Sequence, residues 1–107
     1  MTEINWEETA FQIILHGGNA KSLLHEALAK AREGKFQDAE KDLKQADEEL
    51  KIAHEVQTKT LHKEAEGVSY TPNLLMVHAH GHLMASLTER TLIEELIELY
   101  KRVGAKV

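Results

Sequence analysis

The stretch that decides the fold is the most apolar run in the chain, Leu74-Leu75-Met76-Val77-His78-Ala79-His80-Gly81-His82-Leu83-Met84, which carries three of the seven histidines. In a helix, with ~100° between successive residues, His78 and His82 share one face and His80 points nearly the opposite way. In a strand, all three imidazoles would share a face and a metal site would be favoured. The secondary structure of this run therefore determines which histidines can act together.

Apolar residues recur every three or four positions along the rest of the chain, which predicts an all-α protein. We expect a single domain over residues 1–107, with helices at about residues 5–33, 36–66 and 71–103. Gly17-Gly18 lies inside the first pattern, so that segment is interpreted as one long helix with a weak point or as two collinear helices. Three such helices with short connections form an antiparallel up-down-up bundle.

Each predicted helix is flanked by residues that are common at helix ends. Asn5, with Glu8 three positions later, predicts the first N-cap, and Thr71 before Pro72 predicts the start of the third helix. Glycines that can adopt the left-handed conformation stand after each helix, at Gly34, Gly67 and Gly104.

The second helix carries a heptad-like row of apolar residues, formed by Phe36, Ala39, Leu43, Ala46, Leu50 and Ala53. Gln57 and Thr60 occupy the next positions of this row. The row therefore becomes polar near its far end.

The third helix has more apolar surface than an outer helix of a three-helix bundle needs. Residues 74–87 are apolar nearly all round, whereas one apolar stripe is enough to pack against two neighbours. We therefore expect the bundle to self-associate about its third helix.

Composition excludes several classes of function. Lys and Arg number 13 against 18 Asp and Glu, for a formal net charge of −5, and no basic block is present, which argues against nucleic-acid binding. With no cysteine, a disulfide framework, a thiolate nucleophile and cysteine-ligated zinc are excluded. The acidic amino terminus is unlike a signal peptide, and no apolar run reaches the ~20 residues of a membrane span. We expect a soluble cytoplasmic protein with no direct membrane insertion.

The histidines offer few chemistries. His16, His25, His54 and His62 lie among polar residues and are interpreted as ordinary, partly exposed side chains. His78, within apolar residues, is either a buried structural histidine or a reactive one.

Sequence motifs narrow the reactive alternatives for His78. The His78–His82 spacing could bind zinc from one helix face, but position 79 is Ala where the metalloprotease signature has Glu. No Gly-x-Ser-x-Gly elbow and no phosphate-binding Gly-x-x-x-x-Gly-Lys loop is present. After these exclusions, the remaining reaction is nucleophilic attack of an imidazole nitrogen on phosphorus.

Three segments resemble a known family: residues 13–22 (IILHGGNAKS), residues 53–58 (AHEVQT), and Val77-His78-Ala79 followed by His82-Leu83-Met84. They are similar, in order and over nearly the whole chain, to the lactose/cellobiose (chitobiose) type of enzyme IIA of the bacterial sugar phosphotransferase system. The resemblance implies a three-helix unit that assembles as a homotrimer. It also implies that His78 is the residue that becomes phosphorylated.

The mechanism implied by the resemblance is a double phosphoryl transfer. His78 would take the phosphoryl group from the histidine-containing phosphocarrier protein and pass it to a cysteine of the cognate IIB, which serves the membrane component IIC. His82 would donate a hydrogen bond to phosphate oxygens, and Gln57 either does the same or satisfies buried polar groups. By overall resemblance, the sugar is a β-glucoside such as cellobiose or a lichenan-derived oligosaccharide, ahead of lactose.

The chain departs from the family pattern at His80 and Gly81. Relatives have an Asp at the position of Gly81, which contributes to a metal ion such as magnesium on the trimer axis. Glycine has no carboxylate, so we expect no required cofactor, with His80 a candidate substitute ligand for a transition metal. Two alternatives stay open on this evidence: a regulatory module without phosphoryl transfer, and a metal-binding protein using His78, His80 and His82.

Overall fold

The computed structural model of the chain describes residues 5–67 and 74–104. These residues form three helices, α1 (Trp6–Arg32), α2 (Phe36–Ala65) and α3 (Leu74–Val103), and contain no strand. The all-α prediction is confirmed. The predicted start of the third helix at Thr71 and Pro72 lies outside the described residues.

The predicted helix ends are formed by the expected residues. The Asn5 side chain accepts a hydrogen bond from the Glu8 backbone N–H at 3.0 Å, which confirms the first N-cap. Gly34 has a φ of 84°, and the N–H of Lys35 donates to the carbonyl of Lys30 at 2.9 Å, so α1 ends in a Schellman motif. The two other glycines at helix ends, Gly67 and Gly104, also have positive φ.

Helix α1 is continuous through Gly17-Gly18, so the alternative of two collinear helices is wrong. Gly17 is buried, and a Cβ built on it would lie 3.7 Å from Nδ1 of His82 on α3. This is an ordinary van der Waals distance, so α1 and α3 are in contact here, beside the histidine pair, and a methyl group at position 17 would still fit.

Contacts between helices give the topology. The pairs Lys30–Asp42 (2.7 Å) and His16–Glu49 (3.3 Å) connect α1 to α2, and the pairs Arg90–Asp47 (2.8 Å) and Lys101–Glu40 (2.7 Å) connect α2 to α3. In both sets the residue numbers rise along one helix as they fall along the other, so each pair of helices is antiparallel. The bundle therefore runs up, down and up, as predicted.

The core is rich in alanine, which lets the helix backbones approach closely. The apolar row of α2 is buried, except for a half-buried Phe36, and it faces α1. Helix α1 packs along both other helices, whereas α2 and α3 contact each other far less. The largest fully buried apolar side chains are Ile13, Leu24, Leu83 and Ile97.

The described part of the chain forms a long, narrow bundle. Its principal extents are 56 × 20 × 19 Å. Of the helices described, none has the length and apolar character required to cross a membrane.

Candidate functional site

Helix α3 presents His78 and His82 on one face, one turn apart. Their ring centroids are 5.8 Å apart, with an angle of 68° between the ring planes. His78 is exposed and His82 is half-buried. The strand alternative is therefore wrong, and so is the interpretation of His78 as a buried structural residue.

The inner edge of His82 is sealed against α1. Its Nδ1 atom is buried and has no hydrogen-bond partner, and it faces the backbone at Gly17. A ligand arriving from solvent can therefore meet this ring only at Nε2. The ring is oriented by its packing, with one nitrogen toward the bundle and one away from it.

Ser86 joins the two helices directly beneath this pair. Its hydroxyl is fully buried and lies 2.9 Å from the carbonyl of His82 and 3.4 Å from the carbonyl of Gly17. Sequence reasoning missed both Ser86 and Gly17 as residues that position the site. The signal was a serine at a core position of an otherwise apolar row, three residues after Leu83.

Two of the other histidines are engaged by carboxylates. His16 lies 3.3 Å from Glu49, and His25 lies 2.7 Å from Glu89. The hydrogen bond from His25, and then the charge of Lys21, lower the pKa of the Glu89 carboxyl. No described residue makes a hydrogen bond to His78, so its ring nitrogens are available.

His80 lies on the other side of α3, as helical spacing predicts. It lines an open cavity of about 340 Å³ between α2 and α3, together with Gln57, Thr60, Leu61, Glu64, Met76 and Val77. The Oε1 atom of Gln57 is buried without a partner. Within one chain, Gln57 is thus grouped with His80 and not with the His78–His82 pair.

Gly81 is exposed, and a Cβ added there would meet no atom within 4 Å. The bundle itself therefore does not require glycine at this position. No group of three or more potential ligands among residues 5–67 and 74–104 of one chain is arranged to hold a metal ion.

Comparison with known proteins finds one family over most of the chain. Residues 8–101 match the family described as "PTS system, Lactose/Cellobiose specific IIA subunit". The lichenan-specific phosphotransferase enzyme IIA component of Bacillus subtilis is 46% identical over 97 residues, which cover 91% of this chain and 88% of that protein.

Solved structures give the same result. The cellobiose-specific enzyme IIA from Bacillus anthracis superimposes with a TM-score of 0.92 at 38% identity, over 99% of this chain and 97% of that one. The IIA(Chitobiose) protein of Escherichia coli, solved in complex with HPr, gives a TM-score of 0.81 at 38% identity, over 94% of this chain and 98% of that one.

Proposed function

This chain belongs to the lactose/cellobiose-specific IIA family of the sugar phosphotransferase system, and we propose that it is a phosphocarrier with His78 as its phosphoryl acceptor. The observation that carries the proposal is the His78 ring, which is exposed on α3 and has no hydrogen bond to any described residue. A neutral imidazole has one nitrogen with a free lone pair, which is the nucleophile that phosphorus needs. The surrounding helices are then required only to position an in-line displacement.

His82 is proposed as a hydrogen-bond donor to the phosphoryl group on His78. Its Nδ1 is sealed against Gly17, so the nitrogen that can serve a ligand is Nε2. A bond from an N–H to a phosphate oxygen is charge-assisted and about twice as strong as a neutral one. The contact of this ring with His78 supports the assignment.

Gln57 is the weaker structural match to the site. It lines the cavity with His80, on the side of α3 away from His78. Donation to a phosphoryl group on His78 would therefore come from the Gln57 of a second copy of the chain.

The proposed partners follow from relatives of the chain. A IIA relative has been solved in complex with HPr, and we propose that the histidine-containing phosphocarrier protein is the donor here too. The acceptor is a cysteine of the cognate IIB, which serves IIC in the membrane. Since relatives are named for lichenan and cellobiose, we propose a β-glucoside as the transported sugar.

The outer face of α3 supports assembly as a homotrimer. The name outer face of α3 is used for a row of exposed apolar side chains along this helix: Leu74, Val77, Met84, Leu92, Leu99 and Val103. Their spacing is close to the 3.5-residue repeat of helices that pack together.

We propose that the trimer requires no axial metal. Gly81 lies between Val77 and Met84 on the outer face of α3 and has no carboxylate. Three chains meeting there bring together no like charges at this position, so no cation is needed to neutralise them.

Labelling with phosphate tests the acceptor. The chain is incubated with phosphoenolpyruvate and the upstream phosphotransferase proteins, and the label on it is counted. We expect about one phosphoryl group per chain for wild type, none for His78→Ala, and normal labelling for His80→Ala, the matched control from the opposite side of α3. Wild-type labelling of His78→Ala would overturn the assignment.

A further inference from the structure

We propose that His78 and His82 together form a binding site for a divalent transition-metal ion of the zinc type, and that an ion held there blocks phosphoryl acceptance. The inference of a binding site follows from the geometry of the two rings. The inference that a bound ion blocks phosphoryl acceptance rests in addition on the proposed function of His78 as acceptor.

The separation of the two rings fits a single ion. Zinc lies about 2.0–2.1 Å from a ligating imidazole nitrogen, which places each ring centroid about 3.2 Å from the ion. Two rings on a tetrahedral ion then have centroids about 5.2 Å apart. The observed separation is 5.8 Å, about 0.6 Å longer than this value, so the two rings are close enough to share one ion after a change in the side-chain torsions of the exposed His78.

Both rings have a nitrogen free to ligate. His78 is exposed and makes no hydrogen bond to a described residue, and the sealed Nδ1 of His82 leaves its Nε2 as the ligand. When Nε2 binds the ion, the ring proton of His82 is on Nδ1, whereas donation to a phosphoryl group requires it on Nε2. His16 and His25 differ, because each lies against a carboxylate of a neighbouring helix.

The site has open coordination positions. Since the described residues of one chain bring no third ligand to the pair, water fills the remaining positions of the ion. Imidazole ligands suit zinc, nickel and copper, whereas magnesium prefers oxygen. The site therefore selects transition metals and exchanges them with solvent.

An ion on the pair and a phosphoryl group on His78 exclude each other. A neutral imidazole has one nitrogen with a lone pair, and the other carries the proton. When that lone pair binds the metal, His78 has no nucleophilic nitrogen left. Phosphorylation of His78 uses this same lone pair, so the phosphorylated nitrogen is no longer a ligand for the ion.

Calorimetric titration with zinc chloride and nickel chloride tests the site. We expect one ion per chain for wild type and for His80→Ala, and no binding of magnesium. Removal of either ligand, in His78→Ala or His82→Ala, weakens binding about tenfold or more, since the second bond of a chelate forms at a high effective concentration. Because His78 is exposed, His78→Ala keeps the test valid if His82→Ala fails to fold.

Three results of this titration would overturn the site. They are wild-type affinity in folded His78→Ala, an equal loss in His80→Ala, and a stoichiometry of one ion per three chains, which indicates a site on a trimer axis instead.

Phosphate labelling with zinc present tests the block. We expect saturating zinc to abolish labelling of wild type, and a chelator to restore it, while HPr in the same mixture stays phosphorylated. Labelling that persists with zinc bound would overturn the block. If wild type binds zinc but accepts no phosphate even without it, the proposed function fails and the metal site stands.

Discussion

His78 and His82 differ in their surroundings although both lie in the same apolar run. The position of each on the helix decides this: His78 points toward solvent, and His82 lies one turn further along, against Gly17 of α1. Spacing was sufficient to pair the two residues and to separate His80 from them. Which nitrogen of His82 faces solvent depends on the position of α1 beside it, and the spacing of residues within α3 does not predict that position.

Gln57 gives a prediction at the scale of one residue. Its Oε1 is buried without a partner, and such an atom carries a desolvation cost of about 1–3 kcal/mol. Replacing Gln57 by Met keeps the shape of the side chain and removes the polar atom. We expect Gln57→Met to raise the free energy of unfolding by about 1 kcal/mol, measured by urea denaturation. A lower free energy of unfolding would show that the amide has a stabilising partner.

At the scale of the element, two glycines of one helix have opposite roles. Gly18 has helical φ inside α1, and a Cβ there would meet no atom within 4 Å. Gly34 follows the helix with a φ of 84°, where an L-residue is strained. The prediction that Gly34 ends the helix is confirmed. It was possible because the helical spacing of apolar residues stops just before this glycine.

These two glycines predict opposite effects of the same substitution. We expect Gly18→Ala to stabilise the folded chain by about 0.4–1 kcal/mol, and Gly34→Ala to destabilise it by about 1 kcal/mol or more. Urea denaturation of both variants at one protein concentration measures the difference. Destabilisation by Gly18→Ala would mean that a partner copy packs closely against this position.

At the scale of the whole molecule, ion pairs on the surface connect the helices around an apolar core, and one helix face is left uncovered. Because α2 and α3 contact each other little, Arg90 with Asp47 and Lys101 with Glu40 form the main polar links between them. The apolar side chains on the outer face of α3 stay exposed among residues 5–67 and 74–104. Both features depend on how the three helices are arranged relative to one another.

The outer face of α3 predicts a change of assembly state. Leu92 is 57% exposed on this face, and Phe11 is 61% exposed on α1. We expect Leu92→Glu to convert the proposed trimer to a folded single chain, because burying three carboxylates together is unfavourable. Phe11→Glu, matched in exposure, is expected to leave the trimer intact. Sedimentation equilibrium gives both masses, and a trimer of wild-type stability for Leu92→Glu would contradict the proposed interface.

The link between α1 and α3 at Glu89 predicts a dependence on pH. The folded chain lowers the pKa of Glu89, chiefly through the hydrogen bond from His25. A carboxyl with a lowered pKa stabilises the fold above its unfolded value of about 4.3 and loses this contribution as pH falls through the folded pKa. We therefore expect Glu89→Gln to be less stable than wild type near pH 7, and the difference to disappear as the pH falls below the folded pKa of Glu89.

A second glutamate of α3 serves as the control for this effect. Glu95 is exposed and makes no ion pair with any described residue, so Glu95→Gln removes the same charge without removing a link. Unfolding is followed by circular dichroism at each pH. An equal dependence on pH in both variants would assign the effect to net charge instead of to the bond with His25.

Local sequence was enough to predict the helices, most of their ends, the pairing of His78 with His82 and the excess of apolar surface on α3. These follow from local spacing, because the helical repeat, the caps and the left-handed glycines act within a few residues. Three features depend on the packing of the helices: Nδ1 of His82 is buried against Gly17, Ser86 joins α1 to α3, and Gln57 lies with His80. Each of these depends on which helix lies opposite which residue, and that is set by packing between segments far apart in the chain.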